Sequence, residues 1–391
     1  MTDKTFHSTE MLQARLHAEL EERAVKGRRR ELCVAGPVRV NLADNDYLGL
    51  SQDAVVKAAV RAALADGAVS ASSSPLVRGY QEIHAKLEKT LCAWHGFSSG
   101  LVWNSGFAAN QAVLGTLARP GDWVFVDRLA HHSLISGILK SNARLKRFPH
   151  NNLKQLKEAL EQTATFDGVR WVVTESVFSM DGDGPDLRAL AELKQRHNFV
   201  WLLDEAHALG WYGPQGQGRA AEAGVVDAVD IFIGTFGKTL GAMGAYSLFH
   251  EPLLRESLVN HAGEFIYSTY LSPLMAAAAL AAIGRVRELA PEAKKWREKS
   301  TRLRELLRTH HWDTPPGDSP IVPVQIGKDE TVLALGSHVR ASGFAVGAIR
   351  PPTVPEGTAR LRLSLKSETR WEDLEELVQE MNTWRNAQTK L

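Results

Sequence analysis

Lys238 stands just after the apolar run Ile231-Phe232-Ile233, in the stretch Gly234-Thr235-Phe236-Gly237-Lys238. A lysine taken out of water there loses part of its charge and can form a Schiff base with a carbonyl. Upstream, Trp201-Leu202-Leu203 ends on Asp204-Glu205-Ala206-His207. An aspartate in such a place can hold a pyridine nitrogen protonated, which keeps an electron sink strong. Trp171-Val172-Val173 is followed by Thr174, Glu175 and Ser179, and Leu101-Val102-Trp103 by Asn104, Ser105 and Gly106. Ser105-Gly106-Phe107 before a helix offers backbone N–H groups to a phosphate, and Thr235 adds a hydroxyl to the same anion. Taken singly, each has a plainer explanation: a surface lysine, a helix cap, a satisfied buried histidine. Together at four run ends they are hard to ascribe to packing.

The elements that must position them are short apolar runs at 101–103, 123–126, 171–173, 200–203 and 231–233, several apolar on both faces. That is the pattern of buried parallel strands. Helical stretches such as 187–196 separate them, giving a parallel sheet covered on both sides. In such sheets ligands bind beyond the carboxyl ends of the strands, where these polar residues fall. The glycine-rich 213–218 lacks dinucleotide-motif spacing and is predicted to be a loop.

Outside this region, Leu12, Leu16, Leu20 and Ala24 recur at helical spacing, predicting an N-terminal helix over 8–30 packed on a larger body. The Ala-rich run 274–283 predicts a buried helix. Residues 321–326 and 361–365 alternate like half-exposed antiparallel strands, with Arg360 and Arg362 facing water. Thr369 and Glu372 form a capping-box signature before a last helix bearing Leu374, Leu377, Val378 and Met381. We therefore divide the chain into an N-terminal helical segment (1–45), a large domain (46–289) and a smaller C-terminal α+β domain (290–391).

The 391 residues carry a net charge of +1 and two cysteines. Balanced charge gives no basis for nucleic-acid binding, and two cysteines allow neither a disulfide framework nor a cysteine-rich metal site. The basic run 26–30 is expected to be a solvated helix end. No apolar run reaches membrane-spanning length, and no secretory or transit signal is visible. No metal and no membrane association are expected, and the expected location is the cytoplasm.

The segments Asp204-Glu205-Ala206-His207 and Thr235-Phe236-Gly237-Lys238 resemble the α-oxoamine synthases, a pyridoxal-phosphate (PLP) family of fold type I. The resemblance extends from Asn45-Asp46-Tyr47-Leu48-Gly49 to the tail, through 105–110, 127–131 and 174–182. It implies a large, mainly parallel-sheet domain with a smaller C-terminal α+β domain, and PLP as cofactor. Lys238 would carry the Schiff base and act as the proton-transfer base. Asp204 would pair with the pyridine nitrogen, and His131 would stack on the ring. His207 and Ser179 would lie near the phenolic oxygen, with Glu175 also at the cofactor. Ser105, Gly106, Phe107 and Thr235 would hold the phosphate. Arg350 would grip the amino-acid carboxylate with help from Asn45, and Arg28 and Thr353 are further substrate candidates. The family is dimeric, and Ser268 and Thr269 would reach the partner's phosphate.

The segment 348–355, Ala-Ile-Arg-Pro-Pro-Thr-Val-Pro, resembles the biotin-pathway branch, which condenses L-alanine with a pimeloyl thioester of CoA or a carrier protein. One departure is Ser70-Ala71-Ser72-Ser73-Ser74-Pro75, where the family usually has glycines. Serine and alanine resist backbone conformations that glycine permits, which leaves the acyl donor open. A glycine C-acetyltransferase, a long-acyl synthase, or a non-catalytic partner subunit are the alternatives. Partner subunits often lack the lysine that is present here.

Overall fold

The computed structural model describes residues 8–388; the first seven residues of the proposed N-terminal segment and the last three of the C-terminal domain lie outside them. Seven strands form the large sheet: β2 (Ser99–Trp103), β3 (Trp123–Asp127), β4 (Arg144–Phe148), β5 (Arg170–Glu175), β6 (Val200–Asp204), β7 (Ile231–Thr235) and β8 (Ala245–Phe249). Their order is β2-β8-β7-β6-β5-β3-β4. All the predicted strands are present, and the pairings β4-β3-β5-β6-β7 are parallel. β8 is antiparallel to both neighbours. It follows β7 through one short loop, so no crossover helix separates them.

Two strands escape the apolar-run pattern. β4 reads Arg-Leu-Lys-Arg-Phe and occupies a sheet edge, where charge discourages pairing with other chains. β8 is wholly buried but is too short to stand out after the glycines at 241 and 244.

A second sheet joins β1 (Val40–Leu42), β9 (Ile321–Gly327), β10 (Phe344–Ile349) and β11 (Ala359–Ser364) in the order β1-β10-β11-β9. β1 runs parallel to β10, with Val40 opposite Phe344. The Ala-rich run is the buried helix Pro273–Leu289, and Leu374, Leu377, Val378 and Met381 are buried on the last helix, Trp371–Gln388.

Three expectations are corrected. β11 is buried at every position, and Arg360 and Arg362 are 3% and 5% exposed. The face read as solvated is covered by the loop after β5, where both arginines find partners: Asp181 Oδ1 at 2.6 Å and the Ser179 carbonyl at 2.6 Å. Among the described residues, the N-terminal helix Ser8–Val25 has no buried position, so its apolar stripe does not pack on the body. Instead the basic run beyond it is engaged: Arg28 pairs with Asp329 and Glu356. The capping box at Thr369 is not formed, since its hydroxyl accepts from the Lys366 N–H and the helix begins at Trp371.

Candidate active site

Parallel register sets Glu175 beside Asp204 at the ends of β5 and β6. Both are nearly fully buried. The Asp204 oxygens are held separately: Oδ1 accepts from the Ala206 N–H at 2.9 Å and Oδ2 from Asn110 Nδ2 at 2.8 Å. Asn110 Nδ2 also reaches Ser133 Oγ at 3.0 Å, and that hydroxyl lies 2.7 Å from His131 Nδ1. The Ser133 N–H donates to the same nitrogen, so Nδ1 acts as the acceptor. Glu175 accepts from the His131 N–H at 2.7 Å. Burial, reinforced by the Asp204 charge, pushes Glu175 up to about 8.

Lys238 lies in the loop joining β7 to β8. This loop is pinned by the Phe236 N–H on the Gly244 carbonyl and the Ala242 N–H on the Phe236 carbonyl. Gly241, at φ +59°, passes so close to Ser51 that a Cβ would lie 2.2 Å from its backbone nitrogen. Enclosure by protein lowers the Lys238 ammonium to about 8, against the pull of Asp204 and Glu175. Its Nζ is 2.8 Å from His207 Nε2, and His207 Nδ1 is 2.7 Å from the hydroxyl of fully buried Tyr47. Burial first, then the Lys238 charge, holds His207 well below the ordinary imidazole range.

A cavity of about 460 Å³ joins these groups; its wall includes Ser105, Gly106, Phe107, His131, Glu175, Asp204, His207, Thr235 and Lys238. At one end the helix Gly106–Leu117 begins, capped by Ser105 on the Ala108 N–H. Thr235 packs so closely there that a Cβ on Gly106 would fall 2.7 Å from Thr235 Cγ2. The Thr235 hydroxyl is buried and has no partner among the described residues. A buried orphan hydroxyl beside a helix N-terminus suits a phosphate oxygen. The enclosed lysine and the fixed carboxylate suit the aldehyde and the ring nitrogen, so the residues present fit PLP.

The other candidates lie outside this cavity wall. The Ser179 carbonyl receives Arg362, and Asn45 Oδ1 accepts from Arg362 Nη2 at 3.0 Å. The Thr269 carbonyl accepts from Asn104, next to half-buried Ser268. Arg350 donates to the Gly27 carbonyl, and Thr353 accepts from Arg30. Sequence reasoning missed Asn110, Ser133, Tyr47 and Arg362. Asn110 sits a helical turn inside the helix begun by Ser105, a placement that would have flagged it. Tyr47, two residues after Asn45, reads as an ordinary core aromatic.

Fold and site together define a PLP-dependent enzyme of fold type I. The family model of the aminotransferases of class I and II matches residues 37–381. The 8-amino-7-oxononanoate synthase of Trichlorobacter lovleyi is 42% identical over 348 residues, covering 88% of each chain. A serine palmitoyltransferase solved with PLP as its internal aldimine matches at TM-score 0.90 and 25% identity, covering 97% of this chain and 99% of that one. The 8-amino-7-oxononanoate synthase of Francisella tularensis matches at TM-score 0.77 and 25% identity, covering 90% and 98%. The chain belongs to the aminotransferase class I and II family and, within it, to the α-oxoamine synthases most like 8-amino-7-oxononanoate synthase.

Proposed function

We propose that this enzyme condenses L-alanine with a pimeloyl thioester, on CoA or a carrier protein, as in biotin synthesis. It releases 8-amino-7-oxononanoate, carbon dioxide and the free thiol. The observation that carries this reading is the enclosed Lys238 between His207 and the Asp204–Glu175 pair, in a chain 42% identical to such a synthase.

PLP, when bound, supplies an electron sink that lets the amino-acid Cα carry negative charge. The chain's residues do the rest. Asp204, its two oxygens fixed by Ala206 and Asn110, would keep the ring nitrogen protonated. Thr235 and the N–H groups of Gly106 and Phe107 would hold the phosphate, and His131 would lie at the ring. Lys238, lowered to about 8, is poised near neutral pH to take the Cα proton and later return one. With that chemistry supplied, the carbon would bond to the thioester carbonyl and displace the thiol, and the amino-acid carboxylate would leave as carbon dioxide. Two arginines are candidates for the alanine carboxylate. Arg350 is the one suggested by resemblance; Arg362 is buried, oriented by Asn45, and close enough to depress both Lys238 and His207. Geometry favours Arg362.

We further infer a cytoplasmic homodimer, with Ser268 and exposed Thr269 reaching the partner's phosphate. Among the described residues no helix is long and apolar enough to cross a membrane.

A second reading, serine with a long acyl thioester, is favoured by the TM-score of 0.90 to a serine palmitoyltransferase. Thiol release by the PLP-loaded protein separates the two. Alanine, glycine and serine are offered against acetyl, pimeloyl and palmitoyl thioesters, with Lys238→Ala as blank. Release with alanine and pimeloyl thioester alone is the expected result. Preference for serine and palmitoyl would move the substrate assignment, and no release with any pair would remove it.

A further inference from the structure

Tyr47 takes no part in the chemistry described above, yet it is fully buried against His207, the residue that holds the lysine. Its hydroxyl is 2.7 Å from His207 Nδ1 and 3.2 Å from Asn45 Oδ1. A phenol has one proton and can donate it to only one of them. Burial raises Tyr47 to about 12, so the phenol keeps that proton. His207, held neutral, likewise carries a single N–H. Where the phenolic proton points therefore decides which imidazole nitrogen is protonated.

Two observations choose the direction. Asn45 Oδ1 already accepts from Arg362 Nη2 at 3.0 Å, and the guanidinium faces the phenolic oxygen. A phenol beside a cation presents its oxygen to the charge and turns its proton away. The Tyr47 proton thus goes to His207 Nδ1, leaving the imidazole N–H on Nε2, 2.8 Å from Lys238 Nζ.

We propose that Tyr47 is a positioning residue that locks His207 in the Nε2–H tautomer, so that His207 presents a donor, and never a lone pair, to the cavity. An obligatory donor at Lys238 Nζ favours the unprotonated nitrogen, the form that can act as a base. It also suits the anionic phenolic oxygen of the cofactor. Other charged groups act on the same site: Asp204 from β6, Glu175 from β5, Arg362 from β11, and more distantly His131 and Asp44. Asp204 and Glu175 favour the ammonium and Arg362 opposes it, and none of them fixes the imidazole tautomer. The proposal rests on Lys238 being the lysine that carries PLP.

The first test is ¹⁵N NMR of the histidine-labelled wild-type full chain, which needs no variant to fold. His207 should show a pyrrole-type Nε2 and a pyridine-type Nδ1; the reverse pattern would overturn the proposal. The second is a pH titration of the absorbance of the PLP-loaded protein. In Tyr47→Phe, with PLP content and melting temperature checked, the apparent pKa should rise by about one unit, the size expected for one lost hydrogen bond. The turnover number should fall while the KM for the amino acid holds. A Tyr47→Phe protein that binds PLP and titrates like wild type would refute the lock and leave the proposed function intact. A wild type that binds no PLP would refute the reading on which it rests.

Discussion

Arg350 and Arg362 offer the same guanidinium fork in opposite settings, one engaged by the Gly27 carbonyl near the surface and one buried between Asn45 and Ser179. Arg362→Ala should raise the alanine KM about tenfold or more, the worth of a charge-assisted bond, and Arg362→Lys should not restore it, because an ammonium lacks the fork. Steady-state kinetics decide. A large KM effect confined to Arg350→Ala would return the carboxylate to that residue. Asp204→Asn should cost about 100-fold in kcat, as for other removed electrostatic stabilisers, with PLP still bound by absorbance. Lys238, Asp204 and His207 were legible in the sequence because each follows a strand apolar on both faces, where a polar residue marks the strand's end. Arg362 was not. Strand alternation separates two faces but does not say what covers either, and here a loop 179 to 183 residues away covers the charged one.

Elements carry the next layer of control. His150 follows β4 and bridges Asp127 at the end of β3 to Asp183 in the loop after β5, at 2.9 and 3.0 Å. Burial alone would lower its pKa, but the two carboxylates outweigh burial and raise it from 6.5 to about 10. The folded value is the higher one. The stabilisation is therefore complete below about pH 6.5 and is lost as pH rises through about 10. His150→Gln should cost about 3 kcal/mol at pH 6, with the gap to wild type closing above pH 10 in urea titrations. At the phosphate end, Gly106→Ala should weaken PLP binding about tenfold, roughly the loss of one charge-assisted bond, because the added methyl displaces Thr235. Equilibrium dialysis of PLP measures it. β4 and β8 were illegible for opposite reasons. One is charged because it is an edge, and the other is buried but hidden behind a glycine-rich loop.

At the scale of the whole molecule, the loop after β5 fastens the two sheets together. Its Gly182 carbonyl accepts from Ser319, and Arg360 and Arg362 grip Asp181 and Ser179. Gly182, at φ +66°, has no room for a side chain, since a Cβ would lie 2.1 Å from the Ile321 carbonyl oxygen. Gly182→Ala should lower stability by about 2 kcal/mol or more and raise the alanine KM, because Arg362 loses its seat; calorimetry and kinetics read the two effects. The uncovered stripe of Met11, Leu12, Leu16 and Leu20 is suited to a second copy, and sedimentation should report a dimer. The parallel pairing of Val40 with Phe344 has another consequence. During synthesis the first strand must wait for Phe344, 304 residues after Val40, before its partner emerges. Lys238, Asp204 and His207 are synthesised well before then, but Asn45 meets Arg362 only across a separation of 317 residues. A ribosome-bound chain stalled after residue 300 would thus lack the contacts that complete the site of the reactive lysine, and catalysis would have to wait for the second sheet to form.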